Sequence, residues 1–139
     1  MDVRLAQLQE AGADFLPGLL GIEFEAYEET GVVRARLTLR KVHFAPHGYV
    51  HAGTVVALAD TAAGYGCLLH LPEGGTGFTT IELKTNFLRN AREGTITCEA
   101  RLIHGGRTTQ VWDAAVNDPE GRPMALFRCT QMVLRAREA

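Results

Sequence analysis

Residues 52–71 read AGTVVALADTAAGYGCLLHL, a run that is apolar or very small on every side and carries a single carboxylate, Asp60. A helix hydrophobic all round is one that a protein buries. This one falls short of the roughly 20 uninterrupted apolar residues of a membrane span, and glycines at 53, 64 and 66 break it further. Pro72, Gly74 and Gly75 then stop it. A buried helix needs a sheet to enclose it, and the flanking sequence is strand-like on both sides.

Upstream, residues 2–11 place Val3, Leu5 and Leu8 at helical spacing, which suits a short amphipathic helix over an edge of the domain. FLPGLLG follows as a loop, so residues 1–21 are a helix and a loop. From Ile22 the period changes to two. IEFEAYE and VVRARLTLR form a hairpin around Glu29-Thr30-Gly31, with Val33, Ala35, Leu37 and Leu39 on one face and arginines on the other. Downstream, four strand-like segments span 77–89, 94–104, 108–117 and 123–135, the last three joined by hairpin-length turns as an antiparallel meander. About six strands curved around one long central helix is the hotdog arrangement, an α+β fold in one domain spanning 1–139.

Composition narrows the function classes. Hydrophobic residues make up 46 % and charged ones 22 %, an ordinary globular balance, and a formal charge of −2 gives no general reason to expect a nucleic acid. The cysteines, Cys67, Cys98 and Cys129, are too widely spaced for a zinc set and read as buried free thiols. The charged N-terminus has no signal-peptide core, so the expected setting is the cytoplasm, away from any membrane.

Asp60 breaks the pattern of its helix. Its neighbours Val55, Val56, Leu58, Ala59, Ala62 and Ala63 offer no salt bridge, and a buried carboxylate without a partner costs several kcal/mol. It must be paired within the structure, protonated, or open to a solvent-filled site. Gly53, Ala57, Asp60 and Gly64 share one helix face, a strip of small residues that a ligand or another backbone can approach closely. Helix N-termini present free N–H groups that suit a developing oxyanion, and His51-Ala52-Gly53 stands there. Donors that polarise a carbonyl, with a carboxylate that attacks it or activates water, are the parts of acyl transfer. His43, His47 and His51 also lie within nine residues of one another, but no carboxylate or cysteine beside them completes a metal site.

The stretch HGYVHAGTVVALADTAAGYGC resembles the H-x-x-x-H-G-G-x-x-x-x-L-A-D-x-A signature of phenylacetate-degradation-type hotdog thioesterases, relatives of the 4-hydroxybenzoyl-CoA thioesterases. TIELKTNFLRNAREGTITCEARLIHGGRTTQVWDAAVND is similar to the strand part of that family, so the resemblance runs from about Phe44 to the C-terminus. It implies hydrolysis of acyl-CoA thioesters with an aromatic or medium-chain acyl group, and a place in phenylacetate degradation. It implies Asp60 as nucleophile or general base, backbone N–H groups of Ala52 and Gly53 at the carbonyl, and His51 and His47 as the motif histidines. No cofactor is implied, CoA being part of the substrate, and the site is expected between subunits of a homodimer or homotetramer. Seven residues before Ala52, where the family usually has Asn or Gln, this chain has Ala45, and His43 or His47 would have to stand in.

CoA carries phosphates, so cationic and hydroxyl groups at turns are candidate contacts. Arg89 and the Arg107-Thr108-Thr109 turn fit this, Arg92 stands nearby, and Asn86, Phe87 and Tyr65 are candidate acyl-pocket residues. Two other functions use the same fold. A dehydratase or hydratase would pair His47 with Asp60, and a non-catalytic acyl-CoA-binding dimer would need neither.

Overall fold

A computed structural model describes residues 1–137. Its elements are α1 (Val3–Ala11), α2 (Leu16–Leu20), β1 (Glu23–Glu28), β2 (Val32–Thr38), a 3-10 turn (Lys41–His43), α3 (Ala52–Leu69), β3 (Gly75–Phe87), β4 (Thr95–Gly105), β5 (Thr109–Asn117) and β6 (Pro123–Arg135). The six strands form one sheet in the order β1-β2-β4-β5-β6-β3, antiparallel at every pairing. The meander β4-β5-β6 follows from its short turns. β3 precedes it in sequence yet lies beyond β6, and so becomes a free edge paired on one side only. Register shifts between Phe24 and Ala26, Thr80 and Glu82, and Leu102 and His104 bend the sheet around α3, as bulges do.

One stripe of α3 explains its place. Val55, Leu58, Ala59, Ala62, Ala63 and Cys67 are all at most 1 % exposed and recur at helical spacing, facing the inner side of the sheet. There they meet Val33, Ala35 and Leu37 of β2, Ile96 and Ala100 of β4, and Trp112 of β5. The outward alternates of β2 pair their charges instead, Arg34 with Glu28 and Glu99, and Arg36 with Glu23. Such exposed pairs are each worth at most about 1 kcal/mol. α3 is, among the described residues, the one helix with the length and mean hydropathy (1.3) to cross a membrane, and half of it is buried in this core. The cysteines are buried free thiols, each pushed up to about 12 by burial and therefore inert near neutrality.

Three expectations need correction. FLPGLLG is not all loop: α2 forms because proline is tolerated in a first helical turn, and Gly21 closes it in the left-handed conformation at φ +83°. In α1 only Leu5 is fully buried, while Val3 is 71 % exposed. Gly64 and Gly66 are accounted for inside the chain, by sheet aromatics. A Cβ on Gly64 would stand 2.9 Å from the Phe78 ring, and one on Gly66 2.5 Å from the Trp112 ring.

Trp112 cannot swing aside. Its indole N–H donates to Gln110 Oε1 at 2.7 Å, and the Gln110 amide donates to the His70 carbonyl at 2.9 Å, with Trp112 and Gln110 fully buried. Gly66→Ala therefore lowers stability by about 1–3 kcal/mol through overpacking, although alanine is the better helix former by about 1 kcal/mol. Gly64→Ala, whose neighbour Phe78 is only partly buried, costs less. Urea unfolding of the two variants checks the order.

Candidate active site

The approach to α3 is built on two histidines with different tasks. His43 is fully buried. Its Nδ1 accepts from the Arg40 N–H at 2.8 Å, its Nε2 donates to the Leu20 carbonyl at 2.6 Å, and its own carbonyl accepts from the His51 N–H and the Thr54 hydroxyl. Both ring nitrogens are spent inside the protein, so His43 is a structural pin and does not stand in for an amide at Ala45. His47 lies on the open turn, its Nδ1 accepting from the Tyr49 N–H at 3.2 Å. Arg92, one of the basic residues expected near CoA, lies over the Tyr49 ring at 4.2 Å.

His51 is the N-cap of α3, which begins at Ala52. Its Nδ1 accepts from the Gly53 N–H at 2.8 Å, which places the ring proton on Nε2. Gly53 is small for this reason, since a Cβ there would stand 2.9 Å from His51 Nδ1. The N–H groups of Thr54 and Val55 turn to the His51 carbonyl at 3.0 and 3.4 Å. Of the two amides expected to polarise a carbonyl, Gly53's is already engaged. The Ala52 N–H has no hydrogen-bond partner among the described residues. Ala52 takes no positive φ, so alanine fits where the resemblance suggests glycine.

Ala52 lines a cleft of about 360 Å³, together with Ala45, His47, His51, Phe87 and Arg89. The sequence candidates His47, His51, Ala52, Phe87 and Arg89 thus come together. Arg89 is tethered through Nη1, which donates to the Pro123 carbonyl at 2.8 Å.

Asp60 lies eight residues further along α3, about 12 Å up the axis at about 1.5 Å per residue. It is half-buried on the face with Ala57 and Val56, and its Oδ1 is buried without a hydrogen-bond partner among the described residues. Burial holds its carboxyl above the usual aspartate range. No hydrogen bond or ion pair joins Asp60 to His47 within the chain among the described residues.

Other candidates part company with the cleft. Asn86 points to the outer face, where a groove holds it beside Lys84, Leu126 and Arg128. It is one residue from inward-facing Phe87, and successive strand residues face opposite sides. Tyr65 stacks on Phe24 with centroids 4.6 Å apart, because five helical residues carry it about 140° around α3 from Asp60. Arg107, Thr108 and Thr109 stand at the β4–β5 turn. Arg107 lines a cleft with Pro72 and Glu73 just past the end of α3, and the Arg107 and Thr108 carbonyls accept from Arg135 and from the Val133 N–H. That end of the 18-residue helix is about 27 Å from its start.

Thr85 was not a sequence candidate. It pairs with buried Phe127 on the inner face, and its Oγ1 is buried without a hydrogen-bond partner among the described residues, as Asp60 Oδ1 is. The register shift at Thr80/Glu82 hides its direction, since alternation counted from Gly77 assigns it to the wrong side. No group of three or more His, Cys, Asp or Glu side chains is placed to hold a metal ion among the described residues. The arrangement offers one free helix-start amide for a carbonyl oxygen and one destabilised carboxylate.

Comparison with known proteins agrees with this chemistry. The family described as the thioesterase superfamily matches residues 47–125, more than half of the chain. Thioesterase PA1618 of Pseudomonas aeruginosa, solved as a mutant, superposes with a TM-score of 0.89 at 32 % identity, covering 95 % of this chain and 94 % of that one. The 1,4-dihydroxy-2-naphthoyl-CoA hydrolase of Listeria monocytogenes is 33 % identical over 119 residues, 86 % of this chain and 95 % of the relative. The Escherichia coli PaaI protein from the phenylacetic acid degradation operon superposes with a TM-score of 0.79 at 26 % identity, with 94 % of each chain covered. The chain belongs to the thioesterase superfamily and is a thioester hydrolase of the hotdog fold.

Proposed function

We propose that this protein hydrolyses acyl-CoA thioesters with an aromatic acyl group, using the Ala52 amide to hold the carbonyl oxygen and the Asp60 carboxylate as base or nucleophile. The observation that carries the proposal is the unpartnered N–H of Ala52, a cleft-lining residue, at the start of a helix that also bears an unpartnered, desolvated carboxylate. Phe87 in that cleft and the aryl-CoA substrate named for the Listeria relative favour an aromatic acyl group. As the carbonyl carbon is attacked, its π pair moves onto oxygen, where the Ala52 N–H and the positive end of the helix stabilise it. Collapse breaks the C–S bond and releases CoA as the thiol, with no cofactor required.

A homodimer completes the site in this reading. The amide and the carboxylate of one chain lie about 12 Å apart along the helix axis, too far for both to touch one carbonyl group directly. The free edge β3 carries exposed Ile81, Leu83 and Phe87 beside the open face of α3, and an unpaired apolar edge strand is a ready surface for a second copy. Antiparallel pairing there sets the Asp60 face of one chain against the helix start of the other. It also brings Arg107, Thr108 and Thr109 from the far end of one α3 toward the other chain's cleft, within reach of CoA phosphates.

Asp60→Asn removes the carboxylate, and Ala52→Pro removes only the N–H. Proline is tolerated at the first helical position, and His51, at φ −68° and ψ 136°, already has the backbone that a following proline demands. Each variant lowers kcat for aryl-CoA at least about 100-fold in a thiol-release assay. Co-expressed with separate tags and purified as the mixed dimer, the pair regains about half the wild-type rate, because one of its two sites is intact. Near-wild-type turnover by Asp60→Asn alone removes Asp60 from the mechanism, and absence of rescue places both groups on one chain.

The raised Asp60 carboxyl sets the pH dependence. A base must be ionised, so kcat/KM falls as pH drops through its titration, and the acid limb lies above the ordinary aspartate value of about 3.9. Because the folded value exceeds the unfolded one, the charged form weakens the fold progressively as pH rises between the two. Asp60→Asn escapes that loss, so it melts at or above the wild type at pH 7, and the advantage shrinks in acid. A limb below pH 4, or an Asp60→Asn protein less stable at pH 7, contradicts this assignment.

A further inference from the structure

Two rows of outward-facing residues cross the sheet side by side. One runs Glu99, Ala115, Leu126, Asn86 over β4, β5, β6 and β3, and the next runs Arg101, Asp113, Arg128, Lys84 over the same strands. All of them line the groove of about 370 Å³ on the face turned away from α3. The first row holds the apolar pair, Leu126 at 49 % exposed and Ala115 half-buried. Inside the chain Arg101 pairs with Glu99, and Arg128 with Asp113.

On each strand the two residues are i and i+2, about 6.6 Å apart. A twofold axis crossing the strands between the rows exchanges them. Two copies stacked outer face to outer face about that axis set Glu99 of each opposite Arg101 of the other, and Asn86 opposite Lys84. Each of these matches an acceptor with a cation, and the in-chain Arg101–Glu99 pairs join into a ring of four alternating charges. Leu126 meets the methylene stem of Arg128, which a long cation can offer while its head stays with Asp113. Asp113 meets only Ala115, so none of the four juxtapositions sets like charges together. The Leu126 and Ala115 side chains of both copies flank the axis, which makes the middle apolar and the ends polar, as in stable interfaces. A single exposed leucine calls for no partner. Reciprocal matching on four strands about one axis is what an isologous contact requires. A foreign ligand would find the carboxylates of the groove already engaged by arginine, whereas a second copy brings the same charges in reversed order.

We infer that this groove is the seat of a twofold contact between two copies of the chain, with β3, β4, β5 and β6 of one stacked on the same strands of the other. Sheets packed face to face lie about 10 Å apart and within about 30° of alignment, so the matching holds near the axis, where both rows lie. The contact does not rest on the proposed chemistry of the cleft, which opens on the other side of the sheet. It also leaves the β3 edge free, because edge pairing uses backbone groups in the plane of the sheet. With the edges also paired, about a crossing axis normal to the sheet, the assembly closes at four chains.

The test reverses one charge at a time. Arg101→Glu faces Glu99 of the other copy with a like charge, and Glu99→Lys faces Arg101 likewise. Each variant alone raises the dissociation constant of the contact at least about 10-fold, and sedimentation velocity reads a halved mass. Mixed under separate tags, the two variants again meet with opposite charges at both positions, so they co-purify and regain the wild-type mass. Leu126→Arg, which sets a cation against Arg128, halves the mass and is not rescued by mixing with either. Thermal melts confirm that each variant is folded. The halving runs from four chains to two with the β3 edges paired and from two to one without, so the result does not depend on the edge. A wild type that sediments as one chain, a mass that Leu126→Arg leaves unchanged, or charge variants that stay apart on mixing overturns the contact and leaves the groove to a foreign ligand.

Discussion

Burial of a single stripe of α3 against a single sheet is the constraint on which the rest of this molecule depends. Val55, Leu58, Ala59, Ala62, Ala63 and Cys67 fix the rotation of the helix about its own axis. Gly64 and Gly66 let Phe78 and Trp112 close down on it. Once that rotation is set, Asp60 has no choice of direction. It lies at the margin of the buried stripe, beside the free edge strand, with one oxygen out of water and nothing to bond it. The same packing that gives the fold its core places a carboxylate where its charged form is disfavoured.

The helix start shows how local chemistry chooses among equivalent donors. The first turn of any helix has unpaired N–H groups, and here His51 satisfies those of Gly53, Thr54 and Val55 through its ring and its carbonyl. The Ala52 amide is left over. A cap that ties up its neighbours turns a general property of helix ends into one donor at one position. The cap also needs the neutral ring of His51, whose Nδ1 must accept, and a residue at 53 with no Cβ in the way. His51 thus caps the helix through Nδ1 while lining the cleft beside Ala52.

In the proposed reading the site stays incomplete in one chain. Desolvation raises the carboxyl of Asp60, and for the proposed base role a raised value is better matched to removing a proton from water. The hydroxyl of Thr85 is likewise buried without a hydrogen-bond partner among the described residues. In that reading the open β3 edge and the 12 Å or so between amide and carboxylate along the axis are met by a second copy that closes the site.

Much of this was legible in residues 52–71. An all-apolar helix with one carboxylate identifies the buried element, and the period-two segments around it supply the six strands, because periodicity is a local consequence of backbone geometry. Asp60 as the odd residue, and the motif histidines and small residues before it, could be read in the same way. Side-chain direction and distance could not. Asn86 and Phe87 are sequence neighbours on opposite faces, Tyr65 is carried around the helix away from Asp60, and Arg107 lies a helix length from the cleft. Thr85 was hidden by a bulge that reverses the alternation on which strand reading relies. By itself the sequence determined the central helix and the six strands, though not α2, and that a lone carboxylate rides the central helix, since these follow from contacts within a few residues. Only the tertiary structure decided which amide is free and which polar atoms are left unpaired, because those depend on partners brought together from distant parts of the chain.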